Sequence, residues 1–333
     1  MTVYFDKANL EAFLRTNSQL GHAETMKMLR NEIGVAINCT PLEAYSSPLV
    51  RPFVMQMTTG QKNTPKVKFP APAYPDRPVS LTFYAQPTAH RRPVVLADDA
   101  EVTTCQAAGT CLIDGVGEEL TVLSRLHRGD RYKFSMPFTI GAGKGQFASW
   151  AQLTPHILPF HDLIIHDRYL LRRPSWAVRH NLPLLLQALV RGRCGKLNVV
   201  LMTLPPEPVE VNLDPVTYTE LRHLIREAVE AETEQVPNIT VVWGEDGNDV
   251  RHDRHIFTNY QWLASHDSFN YFNSNGSIRT RADTLTLNNL ADSELRIHAD
   301  ELLHRMQDRI MALVAKNPAA IEGDQVSSFL TFK

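Results

Sequence analysis

The stretch that decides the fold of this chain reads His252-Asp253-Arg254-His255-Ile256-Phe257-Thr258-Asn259. It continues as Tyr260-Gln261-Trp262-Leu263-Ala264-Ser265-His266-Asp267-Ser268-Phe269-Asn270. Its polar skeleton is His-x-Arg-x4-Asn, followed by a second apolar run and a polar turn that ends in Asn270. Residues 252–258 and 261–265 favour strands, and only Asn259 and Tyr260 separate them, which predicts a hairpin. A second His-Asp-Arg lies upstream, in Ile164-Ile165-His166-Asp167-Arg168-Tyr169-Leu170. That copy belongs to a predicted strand over 162–171, so the two are not repeats of one motif.

Outward from the hairpin, the periodicity alternates between strand and helix. A helix is predicted over 181–190, a buried strand over 196–203 and an amphipathic helix over 217–232, where Leu221, Leu224, Ile225 and Val229 share a face. Another buried strand follows at 238–243. A closing helix over about 292–315 carries Leu295, Leu302, Leu303, Met306, Ile310 and Leu313. Strands and helices alternating at these spacings predict crossover units and a mostly parallel sheet. The C-terminal ends of such strands converge on a ligand crevice, where the first His-Asp-Arg would face the hairpin.

Laid out in this order, the C-terminal half resembles the phospholipase D superfamily, and more closely the phospholipase D-like domain at the C-terminus of MIT-domain proteins. In that domain a first strand ends in Asp-Pro-Tyr, matched here by Asp167-Arg168-Tyr169 with arginine replacing proline. A late hairpin there carries His-x-Arg, an asparagine in the turn, and a loop ending in an acidic or amide residue before an aromatic pair. His252, Arg254, Asn259, Asn270, Tyr271 and Phe272 hold those places. The resemblance covers residues from about 161 to 272, extends toward the closing helix near 316, and leaves the first 150 residues unexplained. It implies a mixed sheet flanked by helices and a cleft shaped for phosphate, needing neither metal nor cofactor.

In the enzymes of that superfamily a histidine attacks phosphorus, a lysine neutralises charge and an aspartate orients the ring. By that resemblance His252 would attack, Arg254 would clamp the phosphate through its planar fork, and Asn259 would stand where the orienting carboxylate belongs. A neutral amide cannot stabilise an imidazolium as an anion does, so this exchange weakens the case for turnover. Asp167, Arg168, Tyr169, His166 and Asn270 would line the binding side, with Arg172 and Arg173 beside them. Active members bring two motifs together, so a catalytic form of this chain implies a homodimer. A plainer reading makes His252, Asp253 and Arg254 a surface ion-pair cluster.

The N-terminal part predicts a small α/β domain: strands at 2–5 and 34–38, with helices at 8–15, 23–32 and 49–57. Strand pieces follow at 81–85, 93–96 and 110–114, and helical stretches at 100–107 and 118–126. Residues 60–79 are rich in proline and lysine and read as a surface loop or linker. The domains are therefore drawn at 1–150 and 151–333. Gly141-Ala142-Gly143-Lys144-Gly145 lacks the spacing and the hydroxyl of a phosphate loop, and reads as a flexible connection between them.

Composition excludes little but points consistently. A chain of 333 residues with 43% hydrophobic and 21% charged residues is ordinary for a globular protein. With 34 Lys and Arg against 36 Asp and Glu, only local basic patches can carry an anion-binding case. Arg172-Arg173 with Arg179, and Arg191-Gly192-Arg193 with Lys196, are such patches, and Trp176, Tyr260 and Trp262 lie near them in sequence. No apolar run approaches the ~20 residues of a membrane helix. The N-terminus carries no leader pattern, so a cytoplasmic location is expected. Cys39, Cys105, Cys111 and Cys194 are scattered and read as reduced thiols, with no metal site expected among the histidines.

Three functions follow as expectations: a phosphate-recognising module for nucleic acid or anionic lipid heads with little turnover, a metal-independent nuclease, or a scaffold. In the last, the N-terminal domain would recruit a protein partner. The style of the domains suggests a component of a bacterial multi-protein system, such as a defence system.

Overall fold

The computed structural model describes residues 1–15, 22–58, 67–69, 92–96, 111–113, 134–172, 174–191, 197–206, 214–245 and 254–333. The expectations for 81–85, 100–107, 118–126, most of 60–79, His252, Asp253, Arg173, Arg193 and Lys196 lie outside them. The chain divides into two compact units, Met1–Ser135 with Asn289–Ala299, and Met136–Asn288 with Asp300–Lys333.

Unit 1 opens with β1 (Thr2–Asp6), α1 (Lys7–Arg15), α2 (His22–Asn31) and β2 (Gly34–Asn38). There follow α3 (Pro41–Ser46), α4 (Val50–Thr58), β3 (Val67–Lys68), β4 (Pro93–Leu96) and β5 (Cys111–Ile113). The strands form a parallel sheet in the order β3-β2-β1-β4-β5. Val3, Phe5, Val35 and Ile37 are fully or almost fully buried, as expected for central strands covered on both faces. Phe13 of α1 packs 6.2 Å from Phe5. Helix α3 has too few apolar residues for periodicity to reveal it. Its start is set by a capping box, in which Thr40 accepts from the Glu43 N–H and the Glu43 carboxylate accepts from the Thr40 N–H.

Unit 2 contains β6 (Ser135–Thr139), β7 (Asp162–His166), α5 (Ser175–Val190), β8 (Asn198–Thr203), α6 (Tyr218–Thr233) and β9 (Asn238–Trp243). It continues with β10 (Arg254–Thr258), β11 (Gln261–Ser265), β12 (Thr284–Asn289) and β13 (Ile321–Gly323), and α7 (Ser293–Lys316) belongs to it from Asp300 onward. Among the described residues the sheet has eight strands in the order β13-β9-β8-β7-β10-β11-β12-β6. Strands β7, β8 and β9 run parallel, whereas β10 is antiparallel to both β7 and β11. The sheet is therefore mixed, and helices flank it.

The first unit ends near Ser135 rather than at 150. Strand β6 joins the eight-stranded sheet, and the segment behind it supplies Phe147 and Trp150 to an aromatic cluster with Phe269, Tyr271 and Phe272. Trp150 stacks on Tyr271 at 4.7 Å, and its N–H donates to Asn181 on α5. The glycine run 141–145 thus belongs to unit 2 and is no connection between domains. It closes around Gln146, whose side-chain oxygen accepts from the Gly143 N–H at 2.7 Å, and a Cβ on Gly141 would meet that oxygen at 2.0 Å. Among the described residues no helix is long and apolar enough to cross a membrane.

Candidate functional site

Strand β7 stops at His166, earlier than its apolar pattern predicts, because the next residue turns its carboxylate inward. Asp167 is completely buried. Its Oδ2 accepts from the Ser268 hydroxyl at 2.7 Å and the Phe269 N–H at 2.9 Å, while Oδ1 accepts from the Tyr169 N–H at 3.1 Å. Arg254 Nε lies 3.8 Å from Oδ1, an ion pair without a direct hydrogen bond. Burial pushes the Asp167 carboxyl up, and the three hydrogen bonds and Arg254 act against that rise. One carboxylate therefore ties the end of β7 to the start of β10 and to the polar turn after β11.

Register completes the cluster. His166 pairs across the strands with His255, and Arg254 pairs with Ser265. The two imidazoles stack with centroids 6.1 Å apart and planes 20° apart. The Arg254 and Arg168 guanidinium carbons lie 5.1 Å and 5.5 Å from the centroid of the Tyr169 ring, within cation-π range. Trp262 donates its indole N–H to His255 Nδ1 at 3.1 Å. An indole can only donate, so neutral His255 carries its proton on Nε2.

The local field is positive. His166 is pushed down to about 3, first by burial, then by His255 and by the cations Arg309, Arg254 and Arg168. Its ring is neutral near neutral pH, and the charged groups that push it down are guanidiniums. Buried polar atoms without hydrogen-bond partners among the described residues collect at the same strand ends: His166 Nδ1, Arg254 Nε and Asn270 Oδ1. Such atoms are rare in folded proteins and need water or a ligand. Asn270 cannot satisfy itself by exchanging its amide atoms, because its Nδ2 already donates to the Leu170 carbonyl at 3.0 Å and the Ser268 hydroxyl at 3.3 Å.

The structure thus brings together His166, Asp167, Arg168, Tyr169, Arg254 and Asn270 of the residues singled out in the sequence. Arg172 follows in a short 3-10 turn, Leu170–Arg172. Asn259 does not join them. It is fully buried in the hairpin turn at the far end of β10, where its Oδ1 accepts from the His161 and Asp162 N–H groups at 2.9 and 3.0 Å. Five residues of extended chain put it roughly 17 Å from Arg254. It fastens the start of β7 to the turn, and the role of a ring-orienting group does not fit that place.

Sequence reasoning missed the places of His255, Ser268 and Arg309, and it read Trp262 only as an aromatic near the basic patches. The hairpin register held the signal for His255, since pairing the two His-Asp-Arg strands aligns it with His166. Arg309 lies on α7, far along the chain, and no local pattern marks it.

No protein-family model matches this chain, and no curated protein resembles it closely enough to match.

Proposed function

We propose that unit 2 is a phospholipase D-like module that binds a phosphate or phosphodiester at the ends of β7 and β10 with little or no turnover. The observation that carries this reading is the buried Arg254 Nε, without a hydrogen-bond partner, in a field that Arg168, Arg254 and Arg309 make positive. A phosphate oxygen would satisfy it with a charge-assisted hydrogen bond. Neither His166 nor His255, the histidines described at these strand ends, is set up as a nucleophile. A nucleophilic imidazole is usually oriented by a carboxylate that accepts from its second N–H. At His255 that position is taken by a donor, the Trp262 indole, and at His166 Nδ1 has no hydrogen-bond partner.

Equilibrium binding of a labelled oligonucleotide in EDTA, repeated over a range of salt, tests the reading. Replacing Arg168 by Gln removes one cation from a half-exposed position and should reduce the salt slope by about 1. Arg254→Ala should weaken binding further, although its fold must be checked because it strands Asp167. An affinity and salt slope unchanged in Arg168→Gln and in folded Arg254→Ala would overturn the proposal. Cleavage in EDTA that disappears in His252→Ala would establish the nuclease instead.

A further inference from the structure

The aromatic residues beside the basic patches separate sharply by exposure. Tyr260 is fully buried and Trp262 is 7% exposed, so neither can receive a ligand, whereas Trp176 is 46% exposed. Trp176 stands in the first turn of α5, directly after the segment that carries Tyr169 and Arg172. The Arg279 guanidinium lies over its ring at 5.1 Å from the centroid. A cation on one side and solvent on nearly half of the residue leave an aromatic surface able to take a second planar partner.

That surface is tied through Arg279 to the strand beside Asn270. The Arg279 N–H donates to the Tyr271 carbonyl at 2.7 Å, and Phe272 bridges Ile278. Arg279 is therefore directly across a narrow hairpin from Tyr271, the neighbour of Asn270, with the Cα atoms of Arg279 and Tyr271 roughly 5.5 Å apart by strand geometry. Asn181 holds the same hairpin to α5, donating to the Phe272 carbonyl at 2.8 Å and accepting its N–H at 2.9 Å. The platform and the phosphate-binding residues thus share one rigid support.

We infer that the phosphodiester taken by this site is single-stranded nucleic acid, with a base stacked on Trp176 beside Arg279. This rests on the phosphate reading proposed above. Every base has a π-face, so stacking adds affinity with little sequence preference, and in a duplex those faces are already occupied. A lipid surface fits less well. The nearest other exposed large apolar residue on α5 is Leu184, two turns away, so Trp176 does not belong to a continuous membrane-binding face.

The test compares single-stranded DNA and RNA of about 12 nucleotides with an abasic sugar-phosphate strand of equal length. The wild type should bind the base-bearing strands more tightly. Trp176→Ala should lose roughly 5- to 150-fold on them and nothing on the abasic strand, and Trp176→Phe should retain most of the gain. Equal binding of both strands, or Trp176→Ala without effect while Arg168→Gln weakens both, overturns the stacking and leaves the phosphate reading standing. Failure to bind either strand removes both. If Trp176→Ala weakens binding to phosphatidylserine vesicles but not to oligonucleotides, the ring serves a membrane and the inference fails.

Discussion

Asp167 and Arg254 form a buried ion pair whose members depend on each other. Asp167 is 0% and Arg254 5% exposed, so removing the carboxylate leaves a guanidinium in the interior together with three stranded donors from Ser268, Phe269 and Tyr169. Asp167→Ala should therefore destabilise the protein by about 3–5 kcal/mol in urea denaturation, and adding Arg254→Met should restore part of that loss. No recovery in the double variant would show that Asp167 acts through the turn hydrogen bonds alone. His166 makes a second demand. Its imidazole takes a proton near 6.5 when unfolded but near about 3 when folded, so between those values the unfolded chain holds more protons and stability falls as pH drops. His166→Gln removes this dependence, whereas the opposite contribution from the raised Asp167 is common to both proteins. Between about pH 7 and pH 5 the wild type should lose roughly 2 kcal/mol more than the variant. Parallel stability curves would mean that the folded site accepts the proton.

At the scale of elements, the periodicity of the apolar residues made β9, β11, α6 and α7 legible to within a residue or two, because each buries a regular stripe or a continuous run. The ends of elements were less legible. Strand β7 stops at His166 because of hydrogen bonds to Ser268 and Phe269, about 100 residues onward, and no local pattern encodes those. The candidate site was legible in part for the same reason: the two His-Asp-Arg stretches and the place of Asn259 in the turn could be read, but only register shows that His166 faces His255, and only the fold shows that Asn259 binds the start of β7. This placement yields a sharp expectation. Asn259→Asp restores the carboxylate that the enzymes of the resembled superfamily carry, yet here it should bring no phosphodiester cleavage. It should instead lower stability by about 1–3 kcal/mol, since the Nδ2 donor 3.2 Å from His161 Nε2 is lost and a buried charge is gained beside Asp162. Cleavage appearing in EDTA in this variant would place Asn259 in the site after all.

For the whole molecule, the order of the units along the chain matters more than their boundaries. Unit 1 is completed by Asn289–Ala299, a segment made after most of unit 2, so a chain cut at 150 would lack part of its first unit. That segment is bound to α2 and the turn after it. Ser293 donates from both its N–H and its hydroxyl to the Glu32 carboxylate at 3.1 and 2.9 Å, and Arg296 donates to the Glu32 carbonyl at 3.2 Å and to the carbonyls of Leu290 and Ala291. Arg296→Ala should thus destabilise unit 1 by about 1–3 kcal/mol, through the loss of charge-assisted hydrogen bonds that satisfy several carbonyls at once. The tryptophans supply a selective readout, because all 4 of them, Trp150, Trp176, Trp243 and Trp262, belong to unit 2. Far-ultraviolet circular dichroism follows both units, whereas tryptophan emission follows only the second. The variant should bring forward part of the dichroism transition and leave the emission transition in place. If the two move together, α7, which begins in one unit and ends in the other, couples them into a single cooperative fold, and the 289–299 segment supports the whole chain rather than unit 1 alone.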